Sequence, residues 1–196
     1  MKLQLEINLL KINLMNFKRL NFKDVILINP NVYKDNRGIF FENIRTDKLN
    51  KFLKKKINFI QENISISKKN VFRGLHFQSK PHQQSKMITV LNGSILDIVV
   101  NLKKNSKFYK KKIIVKLNSS QHCSLFIPRG YAHGFLALEN NTVVKYSVDN
   151  YYNQNSEKCL NYKDKALNLK KLISNKTVIS DKDKVGQFFS ELEIDL

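Results

Sequence analysis

Short runs rich in Val, Ile, Leu and Phe recur along this chain from about residue 24, and turn-forming residues separate them. Runs with this spacing are typical of an antiparallel β sandwich or barrel. The pattern therefore predicts an all-β fold with only a few short helices. The segments predicted to be strands are DVILIN (24–29), GIFFENI (38–44), INFIQENISIS (57–67), KMITVL (86–91), SILDIVVNL (94–102), KIIVKL (112–117), CSLFI (123–127), GFLAL (134–138) and TVVKYSV (142–148).

Turn signals fall between these strands at residues 35–38, 92–93, 118–120 and 140–141. The sharpest is Asn92-Gly93, because a two-residue hairpin with both central residues at positive φ prefers Asn-Gly. It predicts a hairpin between KMITVL and SILDIVVNL.

Two helices are expected beside the strands. The first covers about residues 47–55, with Thr46 or Asp47 as its N-cap and its apolar residues on one face. The second lies beyond Asp181, near the C-terminus.

With 196 residues, 42% of them hydrophobic, the chain can bury a core and is most simply one domain. We assign the domain to residues 15–196, because Met15 could itself begin a complete domain. Residues 1–14 are then an N-terminal extension, either mobile or adding an edge strand. Polar residues interrupt every apolar run, so neither a transmembrane segment nor a signal peptide is expected.

The chain has two cysteines, Cys123 and Cys159, far apart and without a C-x-x-C partner. This spacing indicates neither a disulfide framework nor a zinc knuckle. We expect both to be small buried apolar residues, in a protein of the reducing cytoplasm.

The formal net charge of +19 raises the question of nucleic acid or an anionic membrane as partner. Lys outnumbers Arg by 30 to 5, whereas surfaces that read bases favour bidentate Arg. We therefore interpret the Lys-rich runs at 54–56 and 110–112 as solvated faces and predict neither partner. A non-catalytic basic jelly roll that binds anions through its lysines is kept as an alternative.

Polar residues alternate with apolar ones in several predicted strands. Gln61, Asn63 and Ser65 share one strand face, Asp97 and Asn101 alternate within SILDIVVNL, and Tyr146 lies within TVVKYSV. A repeated polar inner face suggests a ligand cavity inside a small barrel, although a single such strand more often faces water.

In the same region, Arg73 and His76 are three residues apart, so a regular strand would point them to opposite faces. Either Gly74 supplies a bulge that corrects this, or Arg73 reaches in from the rim.

The segment PRGYAHGF (128–135) resembles the second sequence motif of cupins, which are jelly-roll barrels that often bind a metal. The first cupin motif would place further ligands after His76, where this chain has Phe77 and Gln78. His76 and His133 alone are too few for a stable transition-metal site, so we predict no metal and no other cofactor. A metal-dependent cupin oxygenase is the alternative that this prediction opposes.

Taken in order, DNRGIFFE (35–42), FIQENIS (59–65), RGLHFQ (73–78), QSKMITVLNGSILDIVVNLK (84–103), PRGYAHGF and YSVDNYYNQNSE (146–157) resemble the dTDP-4-dehydrorhamnose 3,5-epimerase family. The match covers about residues 15–183. The resemblance implies a metal-free cupin jelly roll that inverts C3 and C5 of a dTDP-linked 4-keto-6-deoxyhexose, in the synthesis of dTDP-L-rhamnose for a surface polysaccharide. An epimerase acting at one carbon only, or on another nucleotide-linked 4-keto sugar, is a close alternative.

The resemblance implies four catalytic residues. His76 would be the base, and Asp183 would orient its imidazole, although Ser180-x-x-Asp183 is locally just as good a helix capping box. Lys86 would stabilise the enolate oxygen, and Tyr146 would be the general acid.

The implied substrate-binding residues are polar or aromatic: Arg37, Glu42, Gln61, Asn63, Arg73, His133 and Tyr152. Part of the nucleotide site would come from the second subunit of a homodimer that exchanges strands. The chain departs from the family where a Trp-Pro pair is usual, since it has Leu169-Lys170-Lys171-Leu172 and no Trp. This departure bears on how the C-terminal segment that carries Asp183 docks.

Overall fold

Two antiparallel sheets packed face to face form the body of the protein in the computed structural model, which describes residues 15–193 and residue 196. This architecture confirms the predicted all-β jelly-roll class, although the two sheets are not joined into a closed barrel. The predicted extension at residues 1–14 lies outside the described residues. None of the described helices is long and apolar enough to cross a membrane.

Sheet 1 has the strand order β1-β2-β10-β7-β12-β5. Its members are β1 (Asn16–Arg19), β2 (Ile26–Asn29), β5 (Gln61–Ser67), β7 (Lys86–Asn92), β10 (Ser124–Ile127) and β12 (Thr142–Val148). Sheet 2 has the order β13-β6-β11-β8-β9, with β14 added parallel to β6. Its members are β6 (Val71–Gln78), β8 (Ser94–Asn101), β9 (Lys112–Asn118), β11 (Tyr131–Ala137), β13 (Glu157–Cys159) and β14 (Val178–Ile179). A separate hairpin pairs β3 (Val32–Asp35) with β4 (Gly38–Phe41).

Successive strands alternate between the two sheets along much of the chain. As a result β7 pairs with β10 and β12, while β8 pairs with β9 and β11. The predicted hairpin at Asn92-Gly93 is therefore wrong: the turn carries the chain from one sheet to the other. Gly93 does have a positive φ of 77°, as predicted, but Asn92 does not and is the last residue of β7. The turn signal was therefore correct only at Gly93.

The predicted helix near residue 50 is present as α1 (Thr46–Leu53), but its predicted cap is wrong. Arg45 occupies the N-cap position without a side-chain capping bond, and it pairs instead with Asp47 in the first turn. The helix ends because Lys54 adopts the left-handed conformation. The second predicted helix is α2 (Asp181–Lys184).

Apolar residues form three clusters, one between the sheets and one on the outer face of each. Burial of apolar surface in these clusters is the main favourable term in folding. Leu49 of α1 covers sheet 1, and the C-terminal segment covers sheet 2. In that segment Leu169 is buried and Leu172 is partly buried. Leucines therefore pack the segment against sheet 2 at the position where the family usually has Trp-Pro.

The alternation predicted for β5 is confirmed. Gln61, Asn63 and Ser65 turn toward the space between the sheets, while Ile64 and Ile66 lie on the outer face with 64% and 66% of their surface exposed. Among the described residues, strand β5 is the last strand of sheet 1, so this apolar face borders a strand edge that no other described strand covers.

A β-bulge at Gly74 resolves the spacing of Arg73 and His76. Between the pairs His133–His76 and Phe135–Arg73, β11 has one residue and β6 has two. The extra residue brings both side chains to the same cavity, as the bulge interpretation required. Gly74 has a φ of 133°, and a Cβ there would lie 2.6 Å from the Cα of Gly134.

We predict that Gly74→Ala destabilises the protein far more than Gly38→Ala does. Both glycines have a φ near 130°, but a Cβ at position 38 would meet nothing within 4 Å. Gly38→Ala, the control, should lower the free energy of unfolding by about 1 kcal/mol through backbone strain. Gly74→Ala should lower it by at least about 2 kcal/mol more, because backbone atoms must also separate. Urea unfolding measures the free energy of unfolding of both variants. Equal losses would contradict the close approach of Gly74 to Gly134.

Candidate active site

The space between the sheets changes from apolar to polar at one end. Three strands show this change at successive inward-facing positions. The inward residue changes from Ile88 to Lys86 along β7, from Val144 to Tyr146 along β12, and from Phe135 to His133 along β11. Three inward polar side chains at this end therefore come from strands whose other inward residues build the core. The core holds the strands in place, and the strands position the polar groups.

Two adjoining cavities occupy this polar end, and His76, Lys86, Tyr146 and Glu157 line both. The first, the histidine cavity, measures about 280 Å³; its other lining residues include Ser65, Arg73, His133, Lys182 and Asp183. The second, the amide cavity, measures about 220 Å³; its other lining residues include Gln61, Asn63, Gln78, Gln84 and Tyr152.

His76 and Asp183 form a hydrogen-bonded dyad, with 2.7 Å between Nε2 and Oδ1. An ionised carboxylate only accepts, so the bond holds the ring proton on Nε2 and leaves the Nδ1 lone pair free to take a proton. Burial works to raise the pKa of Asp183, but the bonds and charge of its partners prevail and lower it. The carboxylate therefore stays ionised and keeps the imidazole in one tautomer.

Asp183 is placed by the short helix α2 and by the bulge. Ser180 caps α2 by accepting a hydrogen bond from the backbone N of Asp183. The carboxylate of Asp183 turns away from the cap, because Oδ2 accepts from the backbone N of Gly74 at 3.0 Å. Only the Ser180 half of the predicted capping box forms, because the Asp183 carboxylate bonds to His76 and Gly74 instead of to the backbone N of Ser180.

Lys86 is a cation inside the cavity. Its Nζ lies 3.5 Å from the backbone O of His76. Burial lowers the pKa of Lys86 to about 8, although the negative charges of Glu157 and Asp97 partly oppose this shift. The side chain is largely charged at neutral pH and lies within reach of the space beside the imidazole.

Tyr146 lies on β12, where it is paired with Asn63 of β5 and Ile88 of β7. Burial raises the pKa of its phenol, so Tyr146 is protonated at neutral pH and can donate.

A second imidazole faces the same cavity from the neighbouring strand. His133 is directly opposite His76 in the β6–β11 ladder, and its Nε2 lies 2.8 Å from Oδ2 of the buried Asp97. Asp97 thus orients a histidine of the cavity. Asn101 was also predicted to face the cavity, but it bonds to Ser106 and to the backbone N of Lys103. Asn101 orders the loop after β8.

The structure brings nine of the predicted site residues to the two cavities and leaves two outside. Arg37 lies at the turn of the β3–β4 hairpin, where it pairs with Asp35 and its side chain is 86% exposed. Glu42 follows this hairpin and pairs with Arg45. Neither is among the described residues that line either cavity.

The sequence prediction missed two charged cavity residues, Glu157 and Lys182. The Glu157 carboxylate accepts hydrogen bonds from Lys182 and, at 2.7 Å, from the hydroxyl of Tyr152. Burial works to raise the pKa of Glu157, but these bonds prevail and lower it. Lys182 stands next to Asp183 in a run of alternating charges, so nothing in the sequence distinguished it from a surface lysine.

Comparison with known proteins identifies the family of this chain. The model of the family described as dTDP-4-dehydrorhamnose 3,5-epimerase matches residues 19–191. The chain belongs to this family. A dTDP-4-dehydrorhamnose 3,5-epimerase from Shigella flexneri is 34% identical over 170 residues, which cover 87% of this chain and 93% of the relative.

Solved structures agree with this family assignment. A dTDP-4-dehydrorhamnose 3,5-epimerase from Bacillus anthracis, solved with TDP and PPi bound, has a TM-score of 0.84 and 35% identity over 89% of this chain and 99% of its own. A dTDP-6-deoxy-D-glucose-3,5-epimerase from Legionella pneumophila, solved with dTDP-4-keto-L-rhamnose, has a TM-score of 0.86 and 30% identity over 91% and 95%. Family membership confirms the predicted resemblance and class of activity, an isomerase acting on carbohydrates.

We predict that Lys86→Met stabilises the fold by about 1 to 2 kcal/mol at pH 7. In the folded chain the pKa of Lys86 is about 8 against an ordinary 10.5, so the cost of its buried charge is fully present below pH 8. This cost declines as the pH rises from 8 toward 10.5, and the gain should therefore shrink at pH 10. Urea unfolding at pH 7 and pH 10 measures the gain in stability. Lys116→Met is the control, because Lys116 is exposed. A gain independent of pH would show that Lys86 is not a buried cation.

Proposed function

We propose that this chain inverts C3 and C5 of dTDP-4-dehydro-6-deoxy-D-glucose to give dTDP-4-dehydro-L-rhamnose. The observation that carries the proposal is the His76–Asp183 dyad, which shares one cavity with Lys86 and Tyr146. These residues are a base with its orienting carboxylate, a cation and a proton donor. They are the groups that proton exchange next to a ketone needs.

His76 removes the proton in this mechanism. Hydrogens on C3 and C5 are acidic because each carbon is adjacent to the C4 ketone, which takes up the charge of the carbanion as an enolate. With its Nε2 proton held by Asp183, the imidazole accepts the sugar proton on its other nitrogen.

Lys86 and Tyr146 complete the reaction. The ammonium group of Lys86 stabilises the enolate oxygen, and its burial strengthens this interaction because the local dielectric is low. Tyr146 returns a proton to the carbon from the face opposite His76, which inverts the configuration. His133, held by Asp97, binds the sugar or the adjoining phosphate.

The nucleotide extends from the histidine cavity into the amide cavity. Gln61 and Asn63 present amides suited to the edges of thymine, and the guanidinium of Arg73 suits the diphosphate. Tyr152 lies at the rim with its ring exposed, where it provides a stacking surface. Its backbone N donates to Gln61 Oε1 at 3.0 Å, which ties this rim to strand β5.

The functional unit is a homodimer that exchanges strands. Arg37 and Glu42 lie on or next to a hairpin that stands apart from both sheets and exposes Val32, Tyr33, Ile39 and Phe40. The free edge and apolar outer face of β5 offer a complementary surface on a second copy. Docking there brings Arg37 and Glu42 to the partner's nucleotide site. The reaction takes place in the cytoplasm, where sugar nucleotides are made.

We predict that His76→Ala lowers turnover of dTDP-4-keto-6-deoxyglucose by at least about a thousandfold, because the base is lost. The affinity for dTDP should stay within about threefold of native, since the nucleotide contacts remain. Turnover is followed by NMR of the sugar and affinity by calorimetry. His122→Ala is the control, because this histidine packs against Phe41 and lines neither cavity. Equal losses of affinity and rate would exclude His76 as the base.

We predict that Tyr146→Phe slows product formation by about a hundredfold, while deuterium exchange into substrate changes less than tenfold. The variant retains the base and loses only the donor. NMR in heavy water measures both rates in one sample. Tyr109→Phe is the control, because Tyr109 packs on Phe189 away from the cavities. A parallel fall of both rates would place Tyr146 in proton removal instead.

A further inference from the structure

Cys159 is the one cysteine that departs from the expectation of a buried core residue. Cys123 is buried between the sheets, but Cys159 is only half-buried. In the ladder between β13 and β6 it lies directly opposite His76. Directly opposed residues of antiparallel strands project from the same sheet face with their Cβ atoms about 4.5–5.5 Å apart. The thiol is therefore a neighbour of the dyad, although the proposed mechanism does not use it.

Three different metal-ligand groups converge at this point. One ligand atom each from His76, Cys159 and Asp183 lies within 4.8 Å of the other two. Ligand atoms around a tetrahedral zinc ion are about 3.3–3.8 Å apart, given bonds of about 2.0–2.3 Å. The limit of 4.8 Å exceeds this spacing by only roughly 1 Å, so small side-chain movements suffice to bring the three atoms onto one ion. The second carboxylate oxygen of Asp183 would keep its bond from Gly74, which is the outer support that metal ligands usually have.

The donor set selects the kind of metal. A thiolate, an imidazole and a carboxylate suit zinc and cadmium, whereas magnesium and calcium prefer oxygen ligands alone. Three protein ligands leave the fourth tetrahedral position to water.

We propose that His76, Cys159 and Asp183 form an inhibitory site for a thiophilic divalent cation such as zinc. The ion binds the Nε2 lone pair, the carboxylate oxygen and the thiolate sulfur. Binding moves the ring proton of His76 from Nε2 to Nδ1 and releases the proton of Cys159 to solvent. With Nδ1 protonated and Nε2 bound to the metal, the imidazole has no lone pair for a sugar proton.

The metal-free thiol is held in its protonated form. Burial raises the pKa of Cys159 to about 12, with further contributions from the negative charges of Asp183 and Glu157. A thiolate is the reactive form of cysteine, so this thiol is a poor target for oxidation or alkylation. A bound cation supplies the positive charge that stabilises the thiolate.

Cadmium is the probe for the site, because cadmium–thiolate bonds give an ultraviolet charge-transfer band. Native protein and the control Cys123→Ser should each bind one equivalent with this band. Cys159→Ser and Cys159→Ala should lose the band and bind at least tenfold more weakly, and His76→Asn should also bind more weakly. Thermal unfolding of each variant verifies its fold. A band that persists in both Cys159 variants, or that native protein lacks, would overturn the proposal.

Zinc inhibition is the second readout, and it rests on the proposed function. Zinc should inhibit native protein and Cys123→Ser at concentrations at least tenfold below those needed for Cys159→Ser. Equal sensitivity of all three would overturn the inhibitory role. The cadmium band does not depend on turnover, so absent turnover with an intact band would refute the proposed function and leave the metal site standing.

Discussion

The hydrogen bonds of the Asp183 carboxylate are the interaction on which the site depends. One oxygen holds the imidazole of His76, and the other accepts from the backbone at the Gly74 bulge. The carboxylate lies on a C-terminal segment that packs over the outer face of sheet 2 through Leu167, Leu169 and Ile173. Correct packing of that segment and correct orientation of His76, the proposed base, are therefore coupled. Loss of the dyad alone should impair the proposed reaction more than stability, because the core between the sheets does not involve Asp183.

The polar end of the sandwich shows how one fold supports both stability and chemistry. Placing the charges of Lys86, which is partly buried, and Asp97, which is fully buried, between the sheets is costly unless each charge has partners. Asp97 bonds to His133, and Lys86 is partly compensated by nearby negative charge. The apolar cluster at the other end supplies the stability that offsets this cost. Polar residues at inward positions thus indicate the site.

Much of the fold could be predicted from local pattern, and the site much less so. The alternation in β5 correctly placed Gln61 and Asn63 inside, because strand periodicity depends only on neighbouring residues. The hairpin at Asn92-Gly93 failed because pairing is decided by distant strands, which the turn residues do not encode. His76 and Asp183 are 107 positions apart, and only the family resemblance connected them. Lys182 and Cys159 gave no local signal, and Glu157 lay in the family-like segment YSVDNYYNQNSE without being predicted as a site residue.

The dyad is tested most directly by exchange in heavy water, comparing native protein with Asp183→Asn. Asparagine keeps the shape of the carboxylate but can donate to Nε2, which favours the tautomer that has no free lone pair toward the sugar. Incubated with dTDP-4-keto-6-deoxyglucose, native protein should incorporate deuterium at both C3 and C5. Asp183→Asn should do so at least about a hundredfold more slowly while binding dTDP normally. Exchange at the native rate in Asp183→Asn would contradict the central claim, and native exchange at one carbon only would exclude double epimerisation.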